Sequence, residues 1–236
     1  MIYVLSDIHG QSVAFFDILE KIEFSDNDTL YILGDIFDRG SQAFEIFDFI
    51  DGKSNIHLLM GNHEKMMLDF FQSLHKDKKT NLSAKSFYLY RLWTSNGGFI
   101  THEQFTSFNE DKQEHILSQL SKLPYYKKIE VNNQKFLLCH AKPIFYQDMT
   151  LDECIREAIN NEDILWCRDF KYFSVPEDYL VIHGHTPVQY ISSSNNIYKY
   201  AENKAIDIDC GCALLSSLGC LRLDDMKEYY SDKLLS

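Results

Sequence analysis

The chain has 236 residues, of which 45% are hydrophobic, so it can bury a full core as one large domain or as one domain with a small cap. Its net charge of −12, from 35 acidic and 23 basic residues, argues against a nucleic-acid partner, because nonspecific binding to phosphate backbones depends on clustered Lys and Arg. The sequence has no apolar stretch of about eighteen residues, no signal-peptide pattern and no paired framework among its six cysteines, which predicts a cytoplasmic protein without a membrane partner.

The N-terminal part of the chain alternates between apolar runs and segments with helical spacing. The apolar runs predict three short strands, at residues 2–5, 29–33 and 56–60. The helix between the first two strands is predicted to bury the residues that recur at helical spacing, Val13, Phe16, Leu19 and Ile22. A second helix is predicted from Ser41, as its N-cap, to Ile50, with Phe44, Phe47 and Ile50 on its inner face. Such alternation is typical of an α/β fold.

Residues 65–123 have a different character, with long helical periodicities interrupted by a polar loop at 75–85 and by Asn96-Gly97-Gly98. No apolar run in this segment ends in clustered polar ligands. We expect a helical cap inserted beside the sheet of a single domain that spans residues 1–236. Its core is predicted to contain the apolar residues Met66, Met67, Phe70, Phe71 and Leu74.

After residue 124 the pattern returns to strands. Runs at 125–131 and 135–139 predict a hairpin, in which Asn132 and Asn133 can adopt the positive φ of a tight turn. A helix at 151–159, a loop at 165–168, strands at 179–182 and 206–209 and a turn at 192–196 follow. Two C-terminal hairpin strands, at 214–223 and 227–230, are expected to complete a second sheet.

Five of the apolar runs end in residues that can bind metal ions, namely Asp7 with His9, Asp35, Asn62, His140 and His185. Strand ends at one edge of a sheet lie close together in space, so these positions are predicted to form one cluster. Carboxylate, amide and imidazole ligands suit manganese, iron or zinc better than calcium. Six ligands are too many for one tetrahedral zinc and are suited to two ions that share a carboxylate, for which Asp35 is the candidate.

The segment Gly34-Asp35-Ile36-Phe37-Asp38-Arg39-Gly40 places further polar groups beside this cluster. A Gly-Asp-x-x-Asp-Arg-Gly string should occur by chance in about one such chain in ten thousand, although a simple turn remains an alternative. Two cations would lower the pKa of a bound water and supply a bridging hydroxide for direct attack on a phosphoryl group. Arg39 and Arg168 could then bind phosphate oxygens, and His63, held protonated by Asp38, could act as the general acid. The set predicts hydrolysis of phosphate esters.

Several motifs resemble the ordered motifs of calcineurin-like metallophosphoesterases, in particular the PPP family of serine/threonine phosphatases in its compact bacterial and bacteriophage form. They are residues 6–10, 34–40, 61–64, 140–141 and 184–186, with Leu92-Trp93 before Asn96-Gly97-Gly98, Trp166-x-Arg168 and His185-Thr186-Pro187 as further similarities. The resemblance covers nearly the whole chain. It implies a four-layer αββα sandwich of two mixed β-sheets with flanking helices.

The resemblance also implies a role for each candidate residue. One divalent ion would be held by Asp7, His9 and Asp35, and the other by Asp35, Asn62, His140 and His185. Manganese is the expected metal, with iron or zinc as alternatives. Phosphate contacts are expected from Arg39, Asn62 and Arg168, beside an Asp38 to His63 pair.

The sequence departs from the family pattern at Lys142, where relatives often carry Gly, and at Cys167, where a polar residue is common. Pro187 stands where more distant phosphodiesterases have another metal-binding His, so the first ion is expected to keep more water. His183 is expected to face the core or rim of its strand instead of binding metal. Asp207 and Asp209 are open between support for the metal ligands and solvated turn residues.

Three functions are compatible with this sequence. The first is a phosphoprotein phosphatase that acts on phosphoserine and phosphothreonine, with phosphotyrosine as a further candidate, and on small phosphomonoesters in vitro. The second is a symmetrical dinucleoside tetraphosphate hydrolase, although such enzymes usually carry a small residue where Asp38 stands. The third is a regulatory module that binds metal or phosphate without catalysing hydrolysis.

Overall fold

The computed structural model describes residues 1–77, 82–169 and 178–232. These residues form the strands β1 to β10, in chain order Ile2–Leu5, Thr29–Ile32, Ile56–Leu58, Tyr126–Val131, Gln134–Cys139, Tyr179–His183, Tyr198–Tyr200, Ala205–Asp207, Gly219–Arg222 and Lys227–Tyr230. They also form the helices α1 to α8, which are Ser12–Lys21, Ala43–Ile50, Asn62–Lys76, Ala84–Trp93, Phe99–Ser107, Glu110–Leu120, Leu151–Asn160 and Asp163–Trp166. The α/β fold predicted from the alternation of apolar runs is confirmed.

The first sheet has the strand order β10-β9-β1-β2-β3. Its strands β1, β2 and β3 are parallel, as expected for strands joined by helices. The prediction that the C-terminal hairpin completes the second sheet is wrong, because β9 pairs antiparallel with β1 and places Leu221 opposite Val4. Without β9, the side of β1 away from β2 would be an open edge with unpaired backbone N–H and C=O groups.

The second sheet has the order β4-β5-β6-β8-β7. Strands β5, β6 and β8 are parallel, and β4 joins β5 through the predicted hairpin. Its turn residues Asn132 and Asn133 have φ values of 50° and 64°, as predicted. Strand β7 was not predicted, and β8 ends at Asp207, two residues before the end of the predicted run.

The two sheets pack face to face, and alternate residues of each strand face opposite sides. Val4 and Leu221 of the first sheet lie in one buried cluster with Leu138 and Ile182 of the second sheet. The neighbouring residues Leu5, Leu137, Cys139 and Val181 point the other way and pack into the cluster that contains the helices. The four-layer αββα arrangement of two mixed sheets follows from this alternation.

Two helices differ from their sequence predictions. Of the residues predicted to be buried at α1, Leu19 and Ile22 are in the core, whereas Val13 and Phe16 are only half-buried. Phe15 and Ile18 are buried instead. Two overlapping apolar faces exist in this segment, and tertiary packing selects one of them. Helix α2 begins at Ala43, with Gln42 in place of the predicted Ser41 as its N-cap. The backbone before it pairs with the loop after β1, since Gln42 N–H donates to the Gly10 carbonyl oxygen at 3.2 Å. Phe44, Phe47 and Ile50 form its buried face as predicted.

Helices α3 to α6 occupy the segment predicted as a cap. Helix α3 begins at Asn62, three residues before the predicted start, and Met66, Met67, Phe70 and Phe71 are buried as expected. Leu74 is 37% exposed, so its assignment to the core is wrong; it lies on the solvent side near the end of α3. Whether residues 65–123 behave as a distinct cap within one domain stays a prediction.

The segment predicted as a loop at residues 165–168 begins with the end of a short helix, α8, which includes Trp166. Its start is supported locally, because the Asp163 N–H donates to Asn161 Oδ1 at 3.0 Å. The loop therefore begins only at Cys167. Within the described residues, no helix combines the length and apolarity that crossing a bilayer requires.

Candidate active site

The predicted ligands lie together where the two sheets meet. Asp7, His9 and Asp35 follow β1 and β2, and backbone hydrogen bonds join these loops, including His9 N to Asp35 O at 2.9 Å. His140, which follows β5, places its Nδ1 2.8 Å from the carbonyl oxygen of Leu33 in the first sheet. His185, which follows β6, donates its backbone N–H to Asp7 Oδ2 at 2.9 Å. The prediction that these segments converge is confirmed.

Several of these residues adopt left-handed backbone conformations, with φ values of 54° for Asp7, 49° for His9, 57° for Asp35 and 72° for His185. Such conformations cost on the order of 1–3 kcal/mol for a residue other than Gly. They persist only where surrounding contacts enforce them, and they are concentrated at functional sites. The loops after β1, β2 and β6 therefore adopt unfavourable backbone conformations that direct these side chains into the cluster.

One group of donor atoms is centred on His140. Its Nε2 lies 2.8 Å from Asn62 Oδ1, 3.2 Å from His185 Nδ1 and 3.5 Å from Asp35 Oδ2. Because His140 Nδ1 faces a carbonyl oxygen, Nδ1 carries the proton and Nε2 presents a lone pair. Atoms that bind one cation at about 2.1 Å lie roughly 3 Å from one another, which is close to the separations around His140. The spacing suits a shared cation.

A second group is centred on His9. Its Nδ1 donates to the carbonyl oxygen of Phe37 at 2.9 Å, so Nε2 is again the free donor atom. This Nε2 lies 3.6 Å from Asp35 Oδ2 and 3.9 Å from Asp7 Oδ1. Asp35 Oδ2 is therefore adjacent to both groups, at 3.6 Å from His9 and 3.5 Å from His140. This position is the one expected of a carboxylate that bridges two ions.

The protonation states also fit divalent cations. Burial lowers the pKa of His9, His140 and His185, which favours the neutral imidazoles that bind metals. Burial, together with the charges of Asp7 and Glu64, raises the pKa of Asp35 well above its ordinary value. Cations would oppose that increase, because positive charge stabilises the carboxylate. The donor set fits two divalent cations that share Asp35.

Glu64 is a functional candidate to which the sequence analysis gave no role. It is fully buried, and its Oε2 accepts hydrogen bonds from the backbone N–H groups of Asp35 at 2.7 Å and Gly61 at 3.1 Å. Its Oε1 accepts from Ile36 N–H at 2.9 Å. Glu64 thus fixes the loop that carries Asp35 to the start of α3. A glutamate three residues into a helix is the sequence signal of such a capping interaction.

His63 lies beside the donor cluster, and its Nε2 is 3.8 Å from Asp35 Oδ2. Its Nδ1 donates to Asp38 Oδ2 at 2.6 Å, and Arg39 Nη2 is 3.2 Å from its Nε2. Burial raises the pKa of Asp38 to about 7. Burial and the charge of Arg39 lower the pKa of His63, which differs from the expectation that Asp38 keeps His63 protonated. In this arrangement His63 is neutral, with its proton on Nδ1.

The two predicted phosphate-binding arginines differ from the buried cluster in being exposed. Arg39 lies against His63, and Arg168 Nη1 lies 3.5 Å from Thr186 Oγ1, in the residue next to His185. The charges of both arginines contribute to the lowered pKa of His63. Positive charge therefore reaches the cluster from two sides, as binding of an anion requires.

The structure also shows the surroundings of Asp207, Asp209 and His183, whose roles the sequence left open. Asp207 and Asp209 are buried, so they are not solvated turn residues, and Asp209 Oδ1 accepts from Gly211 N–H at 3.0 Å. Burial and the charge of Asp7 raise the pKa of Asp209, which places this carboxyl near a predicted ligand. His183 is buried with its Nε2 2.7 Å from the Tyr200 hydroxyl, as expected for a core residue.

Two mixed sheets whose strand ends bring together carboxylates, an amide and imidazoles, beside two exposed arginines, are characteristic of metal-dependent phosphoesterases. The calcineurin-like phosphoesterase family is matched by residues 1–210, and the chain belongs to this family. Its members use a dinuclear site for divalent metal ions. Family membership confirms the broader part of the resemblance seen in the motifs.

Two curated relatives match part of this chain, and both are named symmetrical bis(5'-nucleosyl)-tetraphosphatases. A symmetrical bis(5'-nucleosyl)-tetraphosphatase from Haemophilus ducreyi is 36% identical over 81 residues, which cover 34% of this chain and 30% of that protein. The corresponding protein of Salmonella typhimurium is 30% identical over 78 residues, which cover 32% of this chain and 28% of that protein. The chain thus spans less than a third of the length of these curated relatives.

Solved structures of two kinds share the fold along nearly the whole chain. A putative diadenosine tetraphosphatase superposes with a TM-score of 0.61 at 16% identity, covering 97% of this chain and 91% of that one. A protein serine/threonine phosphatase from Saccharomyces cerevisiae gives 0.59 at 15% identity, covering 100% of this chain and 80% of that one. At these identities the superpositions show a shared fold and leave the substrate open.

Proposed function

We propose that this protein is a metal-dependent phosphomonoesterase of the compact bacterial and bacteriophage PPP type, acting on phosphoserine and phosphothreonine in proteins. The observation that carries the proposal is the 2.6 Å contact between His63 Nδ1 and Asp38 Oδ2. A serine or threonine alkoxide is a poor leaving group, so its release needs a positioned general acid. An imidazole oriented by a buried carboxylate supplies one.

The metal ligands follow from the donor cluster. Asp7, His9 and Asp35 would hold one divalent cation, and Asp35, Asn62, His140 and His185 the other. Manganese is the proposed metal, with iron or zinc as alternatives, since the mixture of oxygen and nitrogen donors suits all of them. When bound, the cations would activate water and offset the charge of the phosphoryl oxygens.

Arg39 and Arg168 bind the phosphate in this proposal, because each presents an exposed guanidinium beside the cluster. Guanidinium groups can donate two parallel hydrogen bonds to phosphate oxygens and so fix its orientation as well as its position. The amide of Asn62, at the N-terminus of α3, would add a further contact. These residues orient the ester bond so that its leaving oxygen faces His63.

His63 moves the proton. In the structure its Nε2 faces the Arg39 guanidinium at 3.2 Å, which disfavours a second proton on the ring. A phosphate dianion would draw Arg39 toward itself and bring negative charge beside His63, and both changes favour the protonated imidazole. The leaving oxygen then takes the proton from Nε2 while Asp38 keeps its hydrogen bond to Nδ1.

Hydrolysis of symmetrical dinucleoside tetraphosphates is the second candidate function. It is favoured by the 36% identity over 81 residues to an enzyme of that name. Its leaving group is a nucleoside diphosphate, which is a stable anion and needs little help from a general acid. The buried Asp38 to His63 pair therefore favours the phosphomonoester over the tetraphosphate.

A substrate panel with the manganese-loaded protein tests the proposal. It should contain phosphoserine, phosphothreonine and phosphotyrosine peptides, 4-nitrophenyl phosphate and diadenosine tetraphosphate, at neutral pH. We expect kcat/KM to be highest for the phosphoserine or phosphothreonine peptide. Turnover of diadenosine tetraphosphate far above that of every peptide would establish the second candidate instead. Phosphate binding without turnover of any substrate would indicate a regulatory module.

A further inference from the structure

Residues 93–101, which include the Asn96-Gly97-Gly98 break between α4 and α5, contact the loop of Asp38 and Arg39 at three points. The indole Nε1–H of Trp93 donates to Asp38 Oδ2 at 2.8 Å. The backbone N–H of Asp38 donates to Thr101 Oγ1 at 3.0 Å. The backbone N–H of Arg39 donates to the carbonyl oxygen of Gly97 at 3.1 Å. Two neighbouring residues of the candidate active site are thus held by one distant segment, residues 93–101.

The loop needs such support, because Asp38 and Arg39 have φ values of 71° and 66°, which residues with side chains adopt at a cost. The supporting segment is itself shaped for close approach. Gly97 has a φ of 103°, and a Cβ there would lie 2.8 Å from Arg39 Cγ. A Cβ on Gly98 would lie 2.3 Å from Trp93 Nε1. The paired glycines therefore admit Arg39 on one side and the indole on the other.

Trp93 is rigidly held as well as close. Its side chain is fully buried, and its ring centroid lies 5.9 Å from that of Phe70 and 5.7 Å from that of Phe71. Tryptophan in such a core usually finds a partner for its N–H, and here the partner is a carboxylate. The hydrogen bond is therefore fixed by packing on the helical side and does not depend on solvent.

The geometry at Asp38 gives this hydrogen bond a consequence for His63. Asp38 Oδ2 accepts hydrogen bonds from both His63 Nδ1 and Trp93 Nε1. Two donors on the same oxygen fix the rotation of the carboxyl group. That rotation sets the plane of the imidazole ring, and so the direction in which Nε2 points.

We propose that Trp93 and Thr101 are positioning residues that hold Asp38 so that His63 is aimed at the leaving oxygen of the substrate. The inference rests on the proposed function, in which His63 is the general acid. It assigns the helical segment a part in catalysis, whereas the sequence motifs named Trp93 without giving it a role. Neither residue touches the substrate phosphate, which Arg39 and Arg168 bind.

The leaving-group dependence of Trp93→Phe tests the inference. Phenylalanine keeps a large aromatic ring and removes the N–H donor. We expect kcat for a phosphoserine peptide to fall about 10-fold, with KM within about 2-fold, since a general acid typically contributes 10²–10⁴-fold and only its orientation is impaired. Turnover of 4-nitrophenyl phosphate should change by less than about 3-fold, because its leaving group is released without a proton.

Thr94→Val is the matched control on the same helical segment. Thr94 Oγ1 donates to the carbonyl oxygen of Tyr90 at 2.8 Å, a hydrogen bond that does not involve the active site. We expect both esters to be hydrolysed at the wild-type rate. Equal loss for both esters in Trp93→Phe would show a general structural role and overturn the inference, as would no loss for either ester.

Thr101 provides a second route if Trp93→Phe does not fold. Thr101→Val has nearly the same shape but cannot accept from the Asp38 N–H, whereas Thr101→Ser keeps the hydroxyl. The inference requires the same selective loss on the phosphoserine peptide for Thr101→Val and recovery in Thr101→Ser. Equal behaviour of the two variants would contradict it.

A spectroscopic measurement separates this inference from the proposed function. The sequence contains two tryptophans, so a proton–nitrogen correlation NMR spectrum has two indole N–H signals. The signal that is absent in Trp93→Phe belongs to Trp93. At pH 8.5 the Trp93 signal of Asp38→Asn should move upfield while the Trp166 signal stays, because an ionised carboxylate acceptor has been replaced by a neutral amide. An unmoved Trp93 signal would refute the contact itself. A wild-type protein that hydrolyses neither ester would refute the proposed function and leave the contact standing.

Discussion

At the scale of single residues, the two carboxylates of the segment 34–40 have different partners although they are only three positions apart. Asp35 lies between two groups of candidate metal-binding atoms, with its Oδ2 within 3.6 Å of both His9 and His140. Asp38 contacts His63 and Trp93 and none of the metal-binding donors. Their substitution should therefore have different effects.

Asp35→Asn should remove most of the bound metal and lower kcat/KM by at least about 100-fold, since a ligand shared by two ions is lost. Asp38→Asn should retain the wild-type metal content and lose activity through His63 alone. Elemental analysis of both purified variants after loading with manganese measures the difference. Equal metal loss in the two variants would mean that the carboxylates have been assigned to the wrong roles.

The candidate ligands could be proposed from the sequence because each follows an apolar run, and the ends of such runs are visible without a structure. Trp93 and Glu64 were not assigned roles for the opposite reason. An indole in an apolar helical segment is ordinarily core, and its hydrogen bond to Asp38 joins residues 55 positions apart. Glu64 was visible as part of a motif, but its bonds to Asp35 and Ile36 depend on how α3 approaches β2.

At the scale of helices and strands, local patterns predicted where most elements lie but not what they pair with. Strand β10 was placed correctly at residues 227–230, yet its hairpin belongs to the first sheet. The choice of sheet depends on which edge is open after the rest of the chain has folded, and no local pattern contains that information. The buried face of α1 was also decided by packing, because its sequence offers two apolar faces.

Leu221→Ala tests the position of β9 between the two sheets. Leu221 is fully buried with residues of both sheets, so its truncation should lower the free energy of unfolding by about 2–5 kcal/mol. Leu214→Ala, at a site that is 47% exposed, is the matched control and should cost less than about 0.5 kcal/mol. Urea denaturation of the metal-free proteins measures both. Equal costs would contradict burial of β9.

At the scale of the whole molecule, the donor atoms of the cluster come from both sheets, and they present lone pairs and carboxylate charge to one another at 2.8–3.9 Å. Divalent cations between these atoms would be attracted by the carboxylates of Asp7 and Asp35 and would offset their charge. The family resemblance predicted this assembly correctly, because motif order along the chain reflects the fold. It did not determine the substrate, which depends on surfaces that vary among members of the family.

Metal binding should therefore stabilise the protein against heat. One cation at a hundred times its Kd adds about 2.7 kcal/mol to the free energy of unfolding. For a chain of this size each kcal/mol raises Tm by about 2–4 °C, so manganese should raise Tm by at least about 5 °C. Differential scanning calorimetry with and without a chelator measures the shift. In Asp35→Asn, manganese should change Tm only slightly. A wild-type Tm that is the same with and without manganese would contradict the proposed site.

The pairing of β9 with β1 has a consequence for co-translational folding. Strand β1 is synthesised before β9, and its backbone is not fully paired until residues near 222 have been made, when Ile2 N–H reaches Asp224 Oδ2 at 2.7 Å. The loop that carries Asp7 and His9 extends from this strand, and it also waits for His185. A nascent chain is therefore expected to complete the candidate active site only after β9 has been synthesised, and the exposed edge of β1 is until then a natural target for chaperones.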